Sequence, residues 1–202
     1  MHRLLDTLVS GVHDTKNQLF IAESLLAANE AKHGIDLGEV RYAIEMASDR
    51  LSRTLSAYRL LKKGASLAVV PAIVADICAE VALAQRKHLE QAGITLDIDC
   101  TVIDEWLLDR DLVTDMLNNA VHNAGRFARS QVRLTARIEE NGLLLRVDDD
   151  GPGFAALPPT EGIGLLVADR LAQLHTRHGQ PGCLHLSNDS PLGGARFELW
   201  LP

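Results

Sequence analysis

The stretch LLLRVDDDGPGF, residues 143–154, decides how the chain reads. Leu143 to Asp148 is a short, mostly apolar run suited to a strand. Glu140-Asn141-Gly142 precedes it, and Asn-Gly is a strong hairpin signal that pairs this strand with Gln131–Ile138. The run then meets acidic residues and a Gly-Pro-Gly break, where the backbone can approach another group closely. A carboxylate at a strand end beside such a loop is the first candidate functional feature.

Working outward, Gly162 to His178 reads as a helix. Cys183–Ser187 and Arg196–Leu201 read as a closing antiparallel pair around Gly193-Gly194. Upstream, Asp109 or Asp111 caps a helix reaching about Ala128. Ile94 to Cys100 alternates like a strand, and Pro71 suits the first residue of a helix from about 71 to 91. Strands followed by helices on one face describe an α/β sandwich over residues 64–202. Residues 1–63 differ. Leu4, Leu8, Val12, Leu19 and Leu26 mark one long helix, and Gly34 marks its end. Val40, Ile44, Ala47, Leu51, Leu55 and Tyr58 mark a second helix close to a heptad pattern. Each helix has one apolar seam, and two such hairpins make a four-helix bundle. The expectation is therefore an α+β protein: a helical hairpin, 1–63, forming a homodimeric bundle, then an α/β sandwich.

The chain has 202 residues, 47% of them hydrophobic and 23% charged, which excludes a largely disordered polymer. Its net charge of −7 and 4% aromatic content argue against a polyanion-binding or base-stacking surface, so nucleic acid is not an expected partner. The sequence contains no apolar run of the roughly 18 residues a membrane span needs, and a cytoplasmic location is expected. Cys78, Cys100 and Cys183 read as reduced, buried thiols.

Four stretches carry chemistry. In His13-Asp14-Thr15-Lys16-Asn17, His13 and Asn17 share a helix face, and Asp14 can take the proton on one imidazole nitrogen, making the other more nucleophilic. Asp115, Asn119 and Asn123 form a polar stripe at four-residue spacing, and carboxamide oxygens on a rigid helix suit a hard cation. In Asp149-Asp150-Gly151-Pro152-Gly153, a carboxylate can accept the exocyclic amine of adenine. Gly162-Ile163-Gly164-Leu165 opens a helix whose N–H groups suit phosphate.

Their order resembles the two-component sensor histidine kinases across nearly the whole chain. HDTKN (13–17) is similar to the H box of that family. LNNAVHNAGRFA (117–128) is similar to the N box, DDGPGF (149–154) and GIGL (162–165) to the two glycine boxes, and GGARFELWLP (193–202) to the closing strand. The resemblance implies a Bergerat ATP-binding fold and dimeric, ATP- and Mg²⁺-dependent phosphorylation of His13. Phosphate then passes to an aspartate of a response-regulator receiver domain. It implies Asp14 as the acid–base partner of His13 and Asn17 as an aid to dephosphorylation of the receiver. Asn123 becomes the Mg²⁺ ligand, Asn119 its neighbour beside the nucleotide, Arg126 a phosphate-facing cation and Asp149 the adenine acceptor. Gly151, Gly153, Gly162 and Gly164 frame nucleotide and lid, and Asp115 lies where related ATPases place an acid that activates water.

The sequence departs from the family in a short lid, Ala155 to Glu161, without lysine or arginine, and in having no recognisable sensor segment. The second departure implies either input from an upstream sensor or regulatory protein, or no input. The first keeps an ATP-independent histidine phosphotransferase as the alternative; a scaffold on the same ATP fold would lack the H box. His175, His178, Cys183 and His185 are zinc-competent by type, though an ordinary helix end is the simpler reading. Arg41, Arg50, Arg53 and Arg59 suit either a solvated face or a surface for an acidic receiver.

Overall fold

The computed structural model describes residues 67–157 and 163–202 continuously, and scattered residues between 15 and 51. His13, Asp14, Asn17, Gly162 and the four arginines of the second helix lie outside the described residues. The chain divides into two compact units, Met1–Ala65 and Ser66–Pro202. In the first, the described residues from 15 to 33 and from 38 to 51 are helical, and Gly34 between them has a left-handed φ of 62°.

The second unit is α+β with a mixed sheet. Its elements are β1 (Val69–Ile73), α1 (Val74–Ala92), β2 (Thr95–Cys100), β3 (Glu105–Asp109), α2 (Arg110–Phe127), β4 (Gln131–Glu139), β5 (Gly142–Asp149), α3 (Ile163–Leu174), β6 (Thr176–Arg177), β7 (Gln180–Pro181), β8 (Cys183–Ser187) and β9 (Arg196–Leu201). Five strands form the main sheet in the order β2-β4-β5-β9-β8. Only β2 and β4 run parallel.

Strand alternation gives this sheet two unlike faces. Val132, Leu134, Ala136, Leu143, Leu145, Val147, Phe197, Leu199 and Leu201 are buried in the core, with Ile77, Val81, Leu117 and Val121 of α1 and α2. The other face carries a row of cross-strand ion pairs. Arg133 meets Asp97 at 2.9 Å, Arg137 meets Asp99 at 2.6 Å, Arg146 meets Glu198 at 2.6 Å and Arg196 meets Asp148 at 2.8 Å. The more exposed pairs, Arg133–Asp97 and Arg137–Asp99, contribute at most about 1 kcal/mol each, whereas Asp148 is itself buried. Their clearer effect is to keep an open sheet face charged and soluble.

Four local expectations are corrected. Pro71 lies in β1 rather than opening a helix, and α1 begins at Val74. β1 pairs only with β3, with Pro71 opposite Leu107, and a two-stranded ladder tolerates a residue with no N–H. The β4–β5 turn is made by Glu140 and Asn141, both with positive φ. Gly142 belongs to β5, where a Cβ would run into the Trp200 ring. Helix α3 ends at Leu174, not His178: His178 and Gly179, with φ of 52° and 81°, form the turn of the small β6–β7 hairpin. Of the cysteines, Cys78 is buried, with its thiol pushed up to about 12 by burial and by neighbouring Cys100. Cys100 is half-buried and Cys183 exposed, so the expectation of three buried thiols holds for Cys78 alone.

One junction ties these elements together. Asp109 caps α2 by accepting from Leu112 N at 3.2 Å, and its other oxygen accepts from Ala68 N at 2.9 Å, ahead of β1. The Asp109 N–H donates to Nε2 of buried His175 at 3.1 Å. The ring must therefore be neutral, with its proton on Nδ1, 3.0 Å from the Leu171 carbonyl of α3. Burial lowers the imidazole pKa from its ordinary 6.5, outweighing the opposing pulls of the Leu171 carbonyl and the Asp109 carboxylate. Stability from this neutral ring is complete above about 6.5 and is lost as pH falls below it. Urea midpoints should drop between about pH 7.5 and pH 5.5 in the wild-type chain. His175→Gln, which keeps an acceptor for Asp109 N–H, should lose part of that drop; an unchanged drop would remove His175 as its source.

Candidate functional site

Asp148 and Asp149 end β5 and Asp150 follows it, and the fold gives each a different role. Asp148 points to the charged face and pairs with Arg196. Asp150 accepts from Arg129 N at 2.7 Å and from Ser130 N and Oγ, the latter at 2.6 Å, which fixes the turn after α2. Burial raises the Asp150 carboxyl, but hydrogen bonds from Ser130, Gln131 and Arg129 outweigh it and hold the group below the ordinary carboxylate range.

Asp149 lies between them in register and turns to the core side, where it is 5% exposed. Its Oδ1 accepts from Gly151 N at 2.8 Å and from Ala195 N at 3.1 Å. Its own N–H donates to Ala195 O at 3.1 Å, and Ser190 Oγ donates to its carbonyl at 2.8 Å. Both side-chain bonds use Oδ1, so Oδ2 is left for an incoming donor. Burial raises the carboxyl above its ordinary value, against the pull of the Gly151 and Ala195 amides, while Asp150 and Asp148 push the same way as burial. A buried carboxylate with one oxygen satisfied is suited to a ligand that brings an N–H.

The glycines around it are structural to this arrangement. A Cβ on Gly151 would lie 2.5 Å from Phe127 O, so this glycine lets the loop sit against the end of α2. Gly153 has a φ of 79°. Gly164 lies in the first turn of α3.

Contact at Phe127 brings the last turns of α2 beside the acidic loop. The asparagines of that helix divide by face. Asn118 is buried and its Oδ1 accepts from Gln85 Nε2 of α1 at 3.0 Å. His122, one turn on, stacks on His88 with ring centroids 4.3 Å apart. Asn118 and His122 therefore join α1 to α2. Asn119 is exposed and Asn123 half-buried, and neither side chain has a partner among the described residues. Asp115, one turn earlier, is half-buried and engaged. Arg126 is exposed, with its guanidinium 5.4 Å from the Phe127 ring centroid. Two uncommitted carboxamide oxygens four residues apart are chemically suited to a hard cation that also takes phosphate oxygens and water.

Among the described residues no three His, Cys, Asp or Glu side chains gather as a metal cluster. His175 is instead held by Asp109 and Leu171, and Cys183 and His185 lie on β8, opposite Trp200 and Glu198. The sequence reading missed Ser190 and Asn188 at this site. They precede the Gly193-Gly194 pair, but only the fold brings them to the acidic loop.

A buried acid at a strand end, an asparagine-bearing helix beside it and the glycine loop that meets the end of that helix at Phe127 make up the candidate site. Residues 108–202 match the family described as histidine kinase-, DNA gyrase B-, and HSP90-like ATPase. The chain is 31% identical to the sensor protein kinase CarS of Pseudomonas aeruginosa, over 94% of this chain and 44% of CarS. It is 24% identical to the virulence sensor histidine kinase PhoQ of Salmonella typhimurium, over 96% of this chain and 42% of PhoQ. The chain thus spans less than half the length of these relatives. Histidine kinase AdeS of Acinetobacter baumannii shares the fold with a TM-score of 0.66 at 17% identity, covering 92% of this chain and 95% of that one. Full-length ShkA, solved with AMPPNP, gives 0.69 at 20% identity, covering 98% of this chain and 45% of that one. Residues 108–202 belong to the histidine kinase-, DNA gyrase B- and HSP90-like ATPase family, and the chain is a relative of the sensor histidine kinases. No described helix is long and apolar enough to cross a membrane.

The tightest test of the site is at Gly194. A Cβ there would run into Asp149 Oδ1 and stand 2.5 Å from Gly151 N. Gly194→Ala should destabilise the chain by about 2 kcal/mol or more in urea unfolding. It should also remove nucleotide binding. A variant with wild-type stability and affinity would show that the Asp149 network is not required.

Proposed function

We propose that the chain is an ATP-dependent protein histidine kinase. The single observation that carries this is Asp149, a buried carboxylate with one oxygen committed to two backbone amides and the other without a partner among the described residues, as an acceptor for the adenine amine would be. Asn123 ligates Mg²⁺, with Asn119 beside it, and Arg126 meets phosphate at the end of the same helix. Gly151 and Gly153 shape the loop, while Gly162 and Gly164 bring helix N–H groups to the phosphates. Mg²⁺, when bound, would neutralise charge on the transferred phosphoryl group.

Residues 1–63 supply the phosphoacceptor in this reading. His13 is the nucleophile, Asp14 holds its other ring nitrogen, and Asn17 assists hydrolysis of phosphate from the receiver. The helical hairpin forms a homodimeric four-helix bundle. The receiver aspartate of a response regulator then takes the phosphoryl group, breaking the nitrogen–phosphorus bond and restoring neutral His13. The H-box sequence supports this, as does a similarity to CarS that runs over 94% of the chain. A cytoplasmic setting fits a phosphorelay fed by ATP.

Incubation with γ-labelled ATP and Mg²⁺ tests the reaction. Base-stable, acid-labile label should appear in the wild-type chain and vanish in His13→Gln, whose ATP affinity stays intact. Asn123→Ala and Asp149→Ala should each lose label together with ATP binding. Label persisting on His13→Gln would overturn the acceptor assignment. If ATP gives no label but a phosphorylated receiver does, the chain is an ATP-independent phosphotransferase.

A further inference from the structure

The acidic loop has a second anchor that the proposed chemistry does not use. Asn188 follows β8 directly, and its carboxamide grips the backbone of Phe154 on both sides. Oδ1 accepts from Phe154 N at 2.7 Å, and Nδ2 donates to Phe154 O at 3.0 Å. Only one orientation of the amide satisfies both bonds. Gly153 sits against it: a Cβ there would lie 2.7 Å from Asn188 Oδ1. The connection that carries Asn188 is itself braced. Ser190 Oγ accepts from Leu192 N at 3.2 Å while donating to Asp149 O, and Gly193 N donates to Ser190 O at 2.9 Å. The β8–β9 connection therefore holds both ends of the loop, Asp149 through Ser190 and Ala195, and Phe154 through Asn188.

We propose that Asn188 is a positioning residue for nucleotide binding: by fixing Phe154 it holds the far end of the loop whose near end carries Asp149. This rests on the nucleotide reading above. Asn188 thus fixes the loop between Asp149 and Phe154 before ligand arrives. Both bonds are solvent-exposed, so the clamp matters little to global stability and more to the ordering that binding would otherwise require.

The test uses the full chain as wild type, Asn188→Ala and Asn188→Asp. Three quantities are read: the ATP dissociation constant with Mg²⁺, the KM and saturating rate of self-phosphorylation, and the ligand-free melting temperature. Asn188→Ala should raise both Kd and KM about 3- to 10-fold while the saturating rate stays within about twofold. The melting temperature should move by no more than about 2 °C. Asn188→Asp keeps the acceptor for Phe154 N–H but sets a carboxylate oxygen against Phe154 O, and should be no better than alanine. Unchanged Kd and KM, or a fall in saturating rate and melting temperature without a change in Kd, would overturn the proposal. If the wild-type chain binds no ATP, the nucleotide reading fails and this proposal fails with it; wild-type binding with a silent Asn188→Ala refutes the positioning role alone.

Discussion

The buried carboxylate of Asp149 organises the candidate site. Asp149 Oδ1 bridges the amides of Gly151 and Ala195, one from its own loop and one from the residue just before β9. Taking a charged group out of water costs several kcal/mol unless hydrogen bonds replace hydration. Here the replacement is half complete by construction. Gly194 has no side chain because Asp149 occupies that space, and Gly151 has none because Phe127 O does. The loop, the end of α2 and the start of β9 are therefore placed by the same few atoms.

Adjacent identical residues do unlike work in this fold, and periodicity explains why. Along β5, a step of one residue turns a side chain to the opposite face. Asp148 joins the charged outer row, while Asp149 faces the core side. Asp150, past the strand, ties down the chain after α2. Along α2, Asn118 and His122 face α1, while Asn119 and Asn123 lie a step further round the helix, free of the α1 contact. The polar richness of this helix thus serves two faces, one structural and one left with uncommitted oxygens.

Much of this was legible beforehand. The β4–β5 hairpin, the β8–β9 pair and the Asp109 cap follow from alternation, turn residues and capping chemistry, and the structure has all of them. What escaped was set by contacts distant in sequence. β1 and β3 are short and stabilise each other, so Pro71 looked like a helix opener until its partner strand was known. Helix α3 stops at Leu174, and the ring of the next residue, His175, is engaged by Asp109, 66 residues away. Asn188 and Ser190 carry no motif, and their importance exists only because β8 and β9 lie beside the acidic loop. His13, the proposed phosphoacceptor, lies outside the described residues, so its assignment rests on the sequence and on the similarity to CarS.

The account turns on Asp149 Oδ2 meeting the amine of adenine. Parallel calorimetric titrations of the full chain with Mg²⁺-ATP and Mg²⁺-GTP test this most directly. Guanine presents a carbonyl oxygen where adenine presents an amine, which would set lone pairs against a buried carboxylate. The account predicts ATP binding at least about tenfold tighter than GTP binding. Equal affinity for the two nucleotides, or no binding of ATP, would contradict it.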